Sequence, residues 1–462
     1  MKHTLLLLAL LLAPLCATAQ HAPVLPTASQ QKWHEAEMGA IFHYDLHVSD
    51  GKRYEQTANR LTPIEDHNMF SPDSLDTDQW IRAAKAAGCR FALLTATHET
   101  GFGLWQSDVN PYCLKALKWR DGKGDIVREF VASCRKYGVE PGLYIGIRWN
   151  SHLGICNFNP QGEGRYRDSR KAWYRHYCEQ MVEELCTRYG PLFMVWFDGG
   201  ADDPKGDGPD VEPIFRKHQP DCLFYHNAER ADLRWGGSES GIVAQPCWST
   251  FPTPYSHTRH NESERDHLDL LSHGDPDGRY WVPAMADVPL RSYAGRHEWF
   301  WEPDDETSVL PLDSLLRIYH GSVGRGATLI LGLTPDPSGL LPAADCERLA
   351  DFGRSIDSLY ARPDATTAGA GAVQVLKLDK SRPVDRCLIS EDISRGERIR
   401  RYAIQARTPD GWTTVGEGQS VGHKRIVTFP PVRASRLRLV VESSVATPVL
   451  REFSAYYRQS AH

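Results

Sequence analysis

The sequence predicts an α/β protein. A (β/α)-barrel (TIM-like) catalytic domain is expected over residues 20–361, followed by an all-β sandwich over residues 362–462, behind a leader of residues 1–19. Three observations predict this. Between about Trp33 and Ala361, short and continuously apolar strands alternate with amphipathic helices, the pattern of a parallel sheet covered on both faces. After Pro363 helical periodicity stops and two-residue alternation takes over. The chain has 462 residues, 41% of them hydrophobic, enough for two cores and too many for one ordinary domain. A doubly wound sheet is the competing arrangement for the first part.

The opening residues MKHTLLLLALLLAPLCATAQ have a basic start, an apolar run from Leu5 to Leu15, and small residues at Ala17 and Ala19. This reads as a secretory signal cut after Ala19, so a periplasmic or secreted protein is expected. Lipid anchoring at Cys16 ranks second, because Leu15 is bulky for that signal. In DTDQWIRAAKAAGCRFALLTATH, Trp80, Ile81, Ala84 and Lys85 recur at helical spacing, Gly88 stops the helix, and Phe91 to Thr95 reads as a buried strand. GDIVREFVASCRKYGVEPGLYIGI repeats the plan, with a helix to Tyr137, a stop at Gly138 and a strand from Gly142 to Ile147. KAWYRHYCEQMVEELCTRYGPLFMVWFDGG is a third unit, with Gly190 as stop and Leu192 to Phe197 as strand. A shorter helix and strand follow in EPIFRKHQPDCLFYHNA, and LDSLLRIYHGSVGRGATLILGL adds a helix before a strand from Ala327 to Leu331. Past the small-residue stretch TTAGAGA, the segments VQVLKLD, IRRYAIQAR and SRLRLVVES alternate between turns, as sandwich strands do.

A net charge of −6 offers no basic field to nucleic acid or anionic lipid, and no apolar run after the leader is long enough to span a bilayer. Ten cysteines follow the leader without a C-x-x-C pair. No zinc site is therefore expected, and mostly buried free thiols are, with one or two bridges permitted by export. The 13 Trp and 18 Tyr would fill cores, and exposed ones would also suit the apolar faces of sugars.

Barrel enzymes place their chemistry at the C-terminal ends of the strands. AIFHYDLH puts His43, Tyr44 and Asp45 there, and LLTATHETGFGLW puts His98 and Glu99, with Trp105 behind. PLFMVWFDGG delivers Trp196 and then Asp198 to a turn of two glycines. LRWGGSESG holds Glu239 on a glycine-rich loop, WVPAMADVPLRSY offers Asp287 and Arg291, and HEWFWE offers Trp299 and Trp301. A single histidine is more often a core or loop residue. Several such groups at successive strand ends make a site. Two carboxylates on separate loops with aromatics between them are the equipment of glycoside hydrolysis. Asp198, short and held by a strand, suits a nucleophile; Glu239 suits a general acid whose pKa its surroundings raise.

These segments resemble the α-L-fucosidases of glycoside hydrolase family 29 over nearly the whole mature chain. VWFDG resembles the family's nucleophile segment, LLTATHETGFGLWQSDVNPY its TAKHHDGFCLWPS stretch, and AIFHYDLH the first-strand segment that supplies a sugar-binding histidine. DVPLR and SVGRGATLILGLTPDPSGLL resemble later landmarks. LRWGGSESG is similar to the RWxGNExG of the branch acting on α-1,3/4-linked fucose, whose glutamate is the acid/base, and the final β-region resembles that branch's sandwich. The resemblance implies a retaining exo-glycosidase with Asp198 as nucleophile and Glu239 as acid/base. It implies a sugar pocket drawn from His43, Tyr44, His98, Glu99, Trp105, Trp196, Arg291 and Trp299. The expected partner is a fucosylated oligosaccharide or glycan, with no cofactor and no metal.

The chain departs from the family in places. His98 is followed by Glu99 where paired histidines are usual, and Thr100 replaces the following Asp. Tyr44-Asp45 replaces an aromatic-Gly pair, and Met285 stands where a Glu is usual. A carboxylate cannot donate a hydrogen bond as an imidazole N–H does. A related glycon such as an α-L-galactoside is therefore one alternative, and a non-catalytic glycan-binding protein another. GSVGRGATLI has the reverse element order for a phosphate loop and reads as a turn. HNESERDH, residues 260–267, reads as a solvated loop rather than a metal site.

Overall fold

The computed structural model describes residues 23–457 apart from Asp207, Gly237, 256–263, Glu306 and 380–381, with side chains 264–268 also undescribed. The expected leader, the anchoring alternative at Cys16 and residues 260–263 lie outside the described residues, and residues 264–267, expected as part of a loop, begin the helix Glu264–His273. Eight parallel strands, β1 (Met38–Phe42), β2 (Phe91–Thr97), β3 (Glu140–Ile145), β4 (Met194–Trp196), β5 (Leu223–Tyr225), β6 (Arg234–Trp235), β7 (Ala284–Pro289) and β8 (Thr328–Leu333), form one sheet. Its order is β5-β4-β3-β2-β1-β8-β7-β6. The edge strands meet through Asp232, whose carboxylate accepts from the Phe224 N–H at 2.8 Å while its own N–H donates to the Phe224 carbonyl at 3.0 Å. The sheet thus curls into a nearly closed barrel.

Helices pack its outside, among them Thr77–Ala86, Ile126–Tyr137, Gly164–Arg188, Leu312–Gly321 and Ala343–Tyr360. The Ile126–Tyr137 helix ends where expected, because Gly138 takes φ 68° and turns its N–H back onto the Arg135 and Cys134 carbonyls. Side chains alternate between two cores, as a covered strand requires. Ile41, Leu93, Tyr144, Trp196, Tyr225 and Ile330 fill the barrel interior. Their neighbours Phe42, Leu94, Leu143, Val195, Phe224 and Leu331 pack outward under the helices. Trp33, fully buried on helix Ala28–Ala36, packs at a tilt on Phe91, stacks on Phe193 and plugs the barrel at the strands' N-terminal ends.

The last barrel helix ends at Tyr360, and the first strand of the β-region begins at Ala365. Two four-stranded antiparallel sheets face each other across a core that includes Ile389, Tyr402, Leu439 and Phe453. TTAGAGA, legible only as a small-residue stretch, is an edge strand (Ala365–Ala370) bulged between Thr367 and Gly369. The sandwich docks at the barrel's N-terminal end. His423 Nε2 and Lys424 Nζ bind Glu37, the residue before β1, at 3.1 and 2.5 Å, and Glu397 accepts from the Ser249 hydroxyl at 2.7 Å. All ten described cysteines are free thiols, most of them buried, and no described helix is long and apolar enough to cross a membrane.

Candidate active site

Strand alternation aims His43, Tyr144 and Asp198 at the barrel mouth, and an irregularity in β2 between Thr95 and Thr97 shifts the register before His98. His43 follows β1 on the face of Ile41, and His98 follows β2. Tyr144 sits near the end of β3, and Asp198 lies two residues beyond inward-facing Trp196. Gly199 and Gly200 take φ 65° and 83°, a turn that a side chain would strain, so the chain leaves the strand immediately behind the carboxylate. The Tyr144 hydroxyl donates to Asp198 Oδ2 at 3.1 Å, and the His98 ring stacks on the Tyr144 ring at 5.2 Å. Trp299 closes the opposite side, 5.0 Å from the His43 ring. It fits there because β8 has glycine at position 332, where a Cβ would lie 2.5 Å from the indole.

Glu239 reaches the mouth from the loop after β6. Its Oε2 accepts from Trp299 Nε1 at 3.0 Å and pairs with His297 Nε2. A third carboxylate, Asp287 on β7, accepts from Trp235 Nε1 at 2.7 Å, and burial pushes its pKa up to about 7. At Asp198, burial raises the pKa, the Tyr144 hydrogen bond and Arg60 lower it, and the Glu99 and Glu239 charges raise it; the net shift is upward. Burial also raises Glu239, but the His297 and Trp299 hydrogen bonds outweigh it and hold that carboxyl below its usual range. The resting Glu239 is therefore not the raised acid the sequence led one to expect. Its side chain is 45% exposed and paired with an imidazole rather than sealed in apolar surroundings.

Burial keeps both His43 and His98 neutral, with the His98 pKa pushed down to about 3. Among the described residues no partner satisfies the Nδ1 atoms of these histidines or the buried Trp196 Nε1. Hydrogen-bonding atoms beside flat aromatic rings match a ligand with hydroxyls on one side and C–H groups on the other.

Three expected pocket residues are placed elsewhere. Tyr44 follows inward-facing His43, so it faces outward, packed on Phe70 and Trp80 under the helices. Trp105 is fully buried in the outer shell with its Nε1 on Glu184 of helix Gly164–Arg188 at 3.0 Å. Arg291 forms a buried two-pronged ion pair with Asp345, Nε to Oδ2 at 3.1 Å and Nη2 to Oδ1 at 2.7 Å. Glu99 is at the site, but both of its oxygens are engaged. Oε2 accepts from the Tyr54 hydroxyl and Oε1 from Arg60 Nε, each at 2.6 Å, and Arg60 lies 3.7 Å over the Trp149 ring. Glu99 thus ties the segment carrying Tyr54 and Arg60 across the mouth.

Sequence reasoning missed Tyr54, Arg60, Tyr144, His297 and Phe300, whose ring lies 5.2 Å from His43 and 4.9 Å from His98. Only Tyr144 had a local signal, its alternation within GLYIGI. The others sit on long connections whose paths no periodicity reports.

A sequence profile of the family described as Alpha-L-fucosidase matches residues 23–358. The chain belongs to the alpha-L-fucosidase family. It is similar to alpha-L-fucosidase 1 of Arabidopsis thaliana, with 30% identity covering 94% of this chain and 87% of the relative. It is also similar to a crystal structure of a Bacteroides thetaiotaomicron VPI-5482 protein assigned as an alpha-L-fucosidase, at 63% identity and a TM-score of 0.93, covering 95% and 100% of the two chains. A glycoside hydrolase 29 family member from an unknown rumen bacterium superposes with a TM-score of 0.78 at 28% identity, over 96% of this chain and 78% of that one. This alpha-L-fucosidase family member is a glycoside hydrolase, and its carboxylates stand where the barrel architecture puts catalysis.

Proposed function

We propose that this protein is an exported, retaining exo-glycosidase that releases terminal α-L-fucose, α-1,3/4-linked, from glycans. The observation that carries the reading is the placing of Asp198 and Glu239 at the barrel mouth, with the Glu239 charge among the groups that raise Asp198, beside histidine and indole groups suited to a sugar. Asp198 attacks the anomeric carbon as the C–O bond to the leaving group breaks and Glu239 protonates that oxygen. Glu239 then takes a proton from water, which attacks the same carbon and releases Asp198. The linkage rests on the likeness of LRWGGSESG to the branch acting on α-1,3/4-linked fucose, and export rests on the leader.

The test is hydrolysis of aryl α-L-fucoside, aryl α-L-galactoside and a Lewis-type trisaccharide. Fucose release with preference for the trisaccharide is expected. Silence on both fucosylated substrates with turnover of the galactoside would move the reading to the other glycon. Glu99→Gln probes the clamp. Its charge is one of the groups raising Asp198, and its loss also leaves the Arg60 cation without its carboxylate. Asp198 then ionises at lower pH, so the acid limb of kcat/KM moves to lower pH; a limb that stays or rises contradicts this.

A further inference from the structure

We propose that His297 holds, in the free protein, the proton that Glu239 delivers to the leaving-group oxygen, so that the two side chains work as one proton-carrying pair. This rests on the acid/base role read for Glu239. The pairing is direct: His297 Nε2 meets Glu239 Oε2, the oxygen that also accepts from Trp299 Nε1 at 3.0 Å. Both side chains are about half exposed, 46% and 45%, so the pair can exchange protons with solvent.

The titratable groups around it favour a cation at His297. Asp287 on β7 acts on both partners, and Asp198 couples to Glu239 from the end of β4. His43 at the end of β1 is buried and neutral. Arg296, next in the chain, is held by Glu298, Glu302 and Asp305. The two shifts agree on where the proton rests. The Glu239 hydrogen bond raises His297 against burial, and the same bond lowers Glu239. An isolated carboxyl this acidic would begin catalysis without its proton, and the pair supplies one.

In the first step the His297 N–H proton passes to Glu239, and the N–H electron pair stays on the now neutral imidazole. Glutamate χ3 is a soft torsion, so the acid can turn its O–H to the substrate. The glycosidic oxygen takes that proton and the electron pair of the breaking C–O bond, while Asp198 forms its bond to the carbon. In the second step the proton from water returns through Glu239 to His297, and the cycle closes without any other reactant.

The test compares pH profiles of wild type, His297→Gln and His297→Phe on 4-nitrophenyl α-L-fucoside and on a fucosylated oligosaccharide whose leaving group needs protonation. If the pair carries the proton, the basic limb of kcat/KM moves down by about 1–3 pH units in both variants, the size of shift an adjacent charge exerts. The oligosaccharide then loses about tenfold or more near neutral pH, within the range general acid catalysis supplies, and the nitrophenyl substrate loses far less. A basic limb that stays in place, or equal losses on both substrates, overturns the proposal. Glu239→Ala separates this from the underlying reading: if that variant does not spare the nitrophenyl substrate, Glu239 is not the acid, whatever His297 does.

Discussion

Asp198→Ala is expected to lower kcat by at least about 10⁴-fold while the protein stays folded. The carboxylate is desolvated at the end of β4, with burial the largest influence on its ionisation, and it accepts a hydrogen bond from the Tyr144 hydroxyl. Removing a group held at an electrostatic disadvantage does not weaken the barrel, so the melting temperature should hold or rise. Added azide can enter the emptied space and attack the anomeric carbon from the nucleophile's side, giving a glycosyl azide of inverted configuration from activated substrates. A variant that keeps a few per cent of wild-type kcat would remove Asp198 from the mechanism. A wild type that binds glycan without turnover, and a variant of equal affinity, would identify a lectin instead.

Arg291→Ala is expected to have the largest effect on stability. Its guanidinium and the Asp345 carboxylate are 3% and 0% exposed, and they bond to each other by two hydrogen bonds. Alanine leaves a buried, unpaired carboxylate, a change that costs about 3–5 kcal/mol in comparable cases. Thermal unfolding should show a drop of several degrees or more. Because the loss comes from the abandoned partner, Arg291→Met combined with Asp345→Leu should recover much of it. If Arg291 binds sugar as the family resemblance implied, the melting temperature will stay and KM will rise, which contradicts the structural role.

These two residues show what kind of information each level carries. Asp198 was legible because PLFMVWFDGG states its own geometry: an apolar strand, an alternation that turns Trp196 and Asp198 to the same face, and glycines that permit the turn. The helix at Ile126–Tyr137 and its stop at Gly138 were legible for the same reason. β6, two residues long, was not, since no period fits in two positions. Tyr44 was misplaced although the rule that turns it outward, opposite His43, was available from the strand itself.

By itself the sequence determined the alternation of helices and strands through most of the barrel, the change to a sandwich after the last barrel helix, and the delivery of His43, His98 and Asp198 to the strand ends. These follow from periods of two and 3.6 residues, which neighbouring residues encode. The tertiary structure alone decided that Glu99 is tied by Tyr54 and Arg60, that Trp105 leans on Glu184, and that Glu239 shares its oxygen with His297 and Trp299. Those partners lie 39 to 79 positions apart, on separate elements and connections whose meeting depends on how the whole barrel closes. The charge state of each carboxyl depends on that meeting, because burial and a neighbour's proton, not residue type, set its pKa.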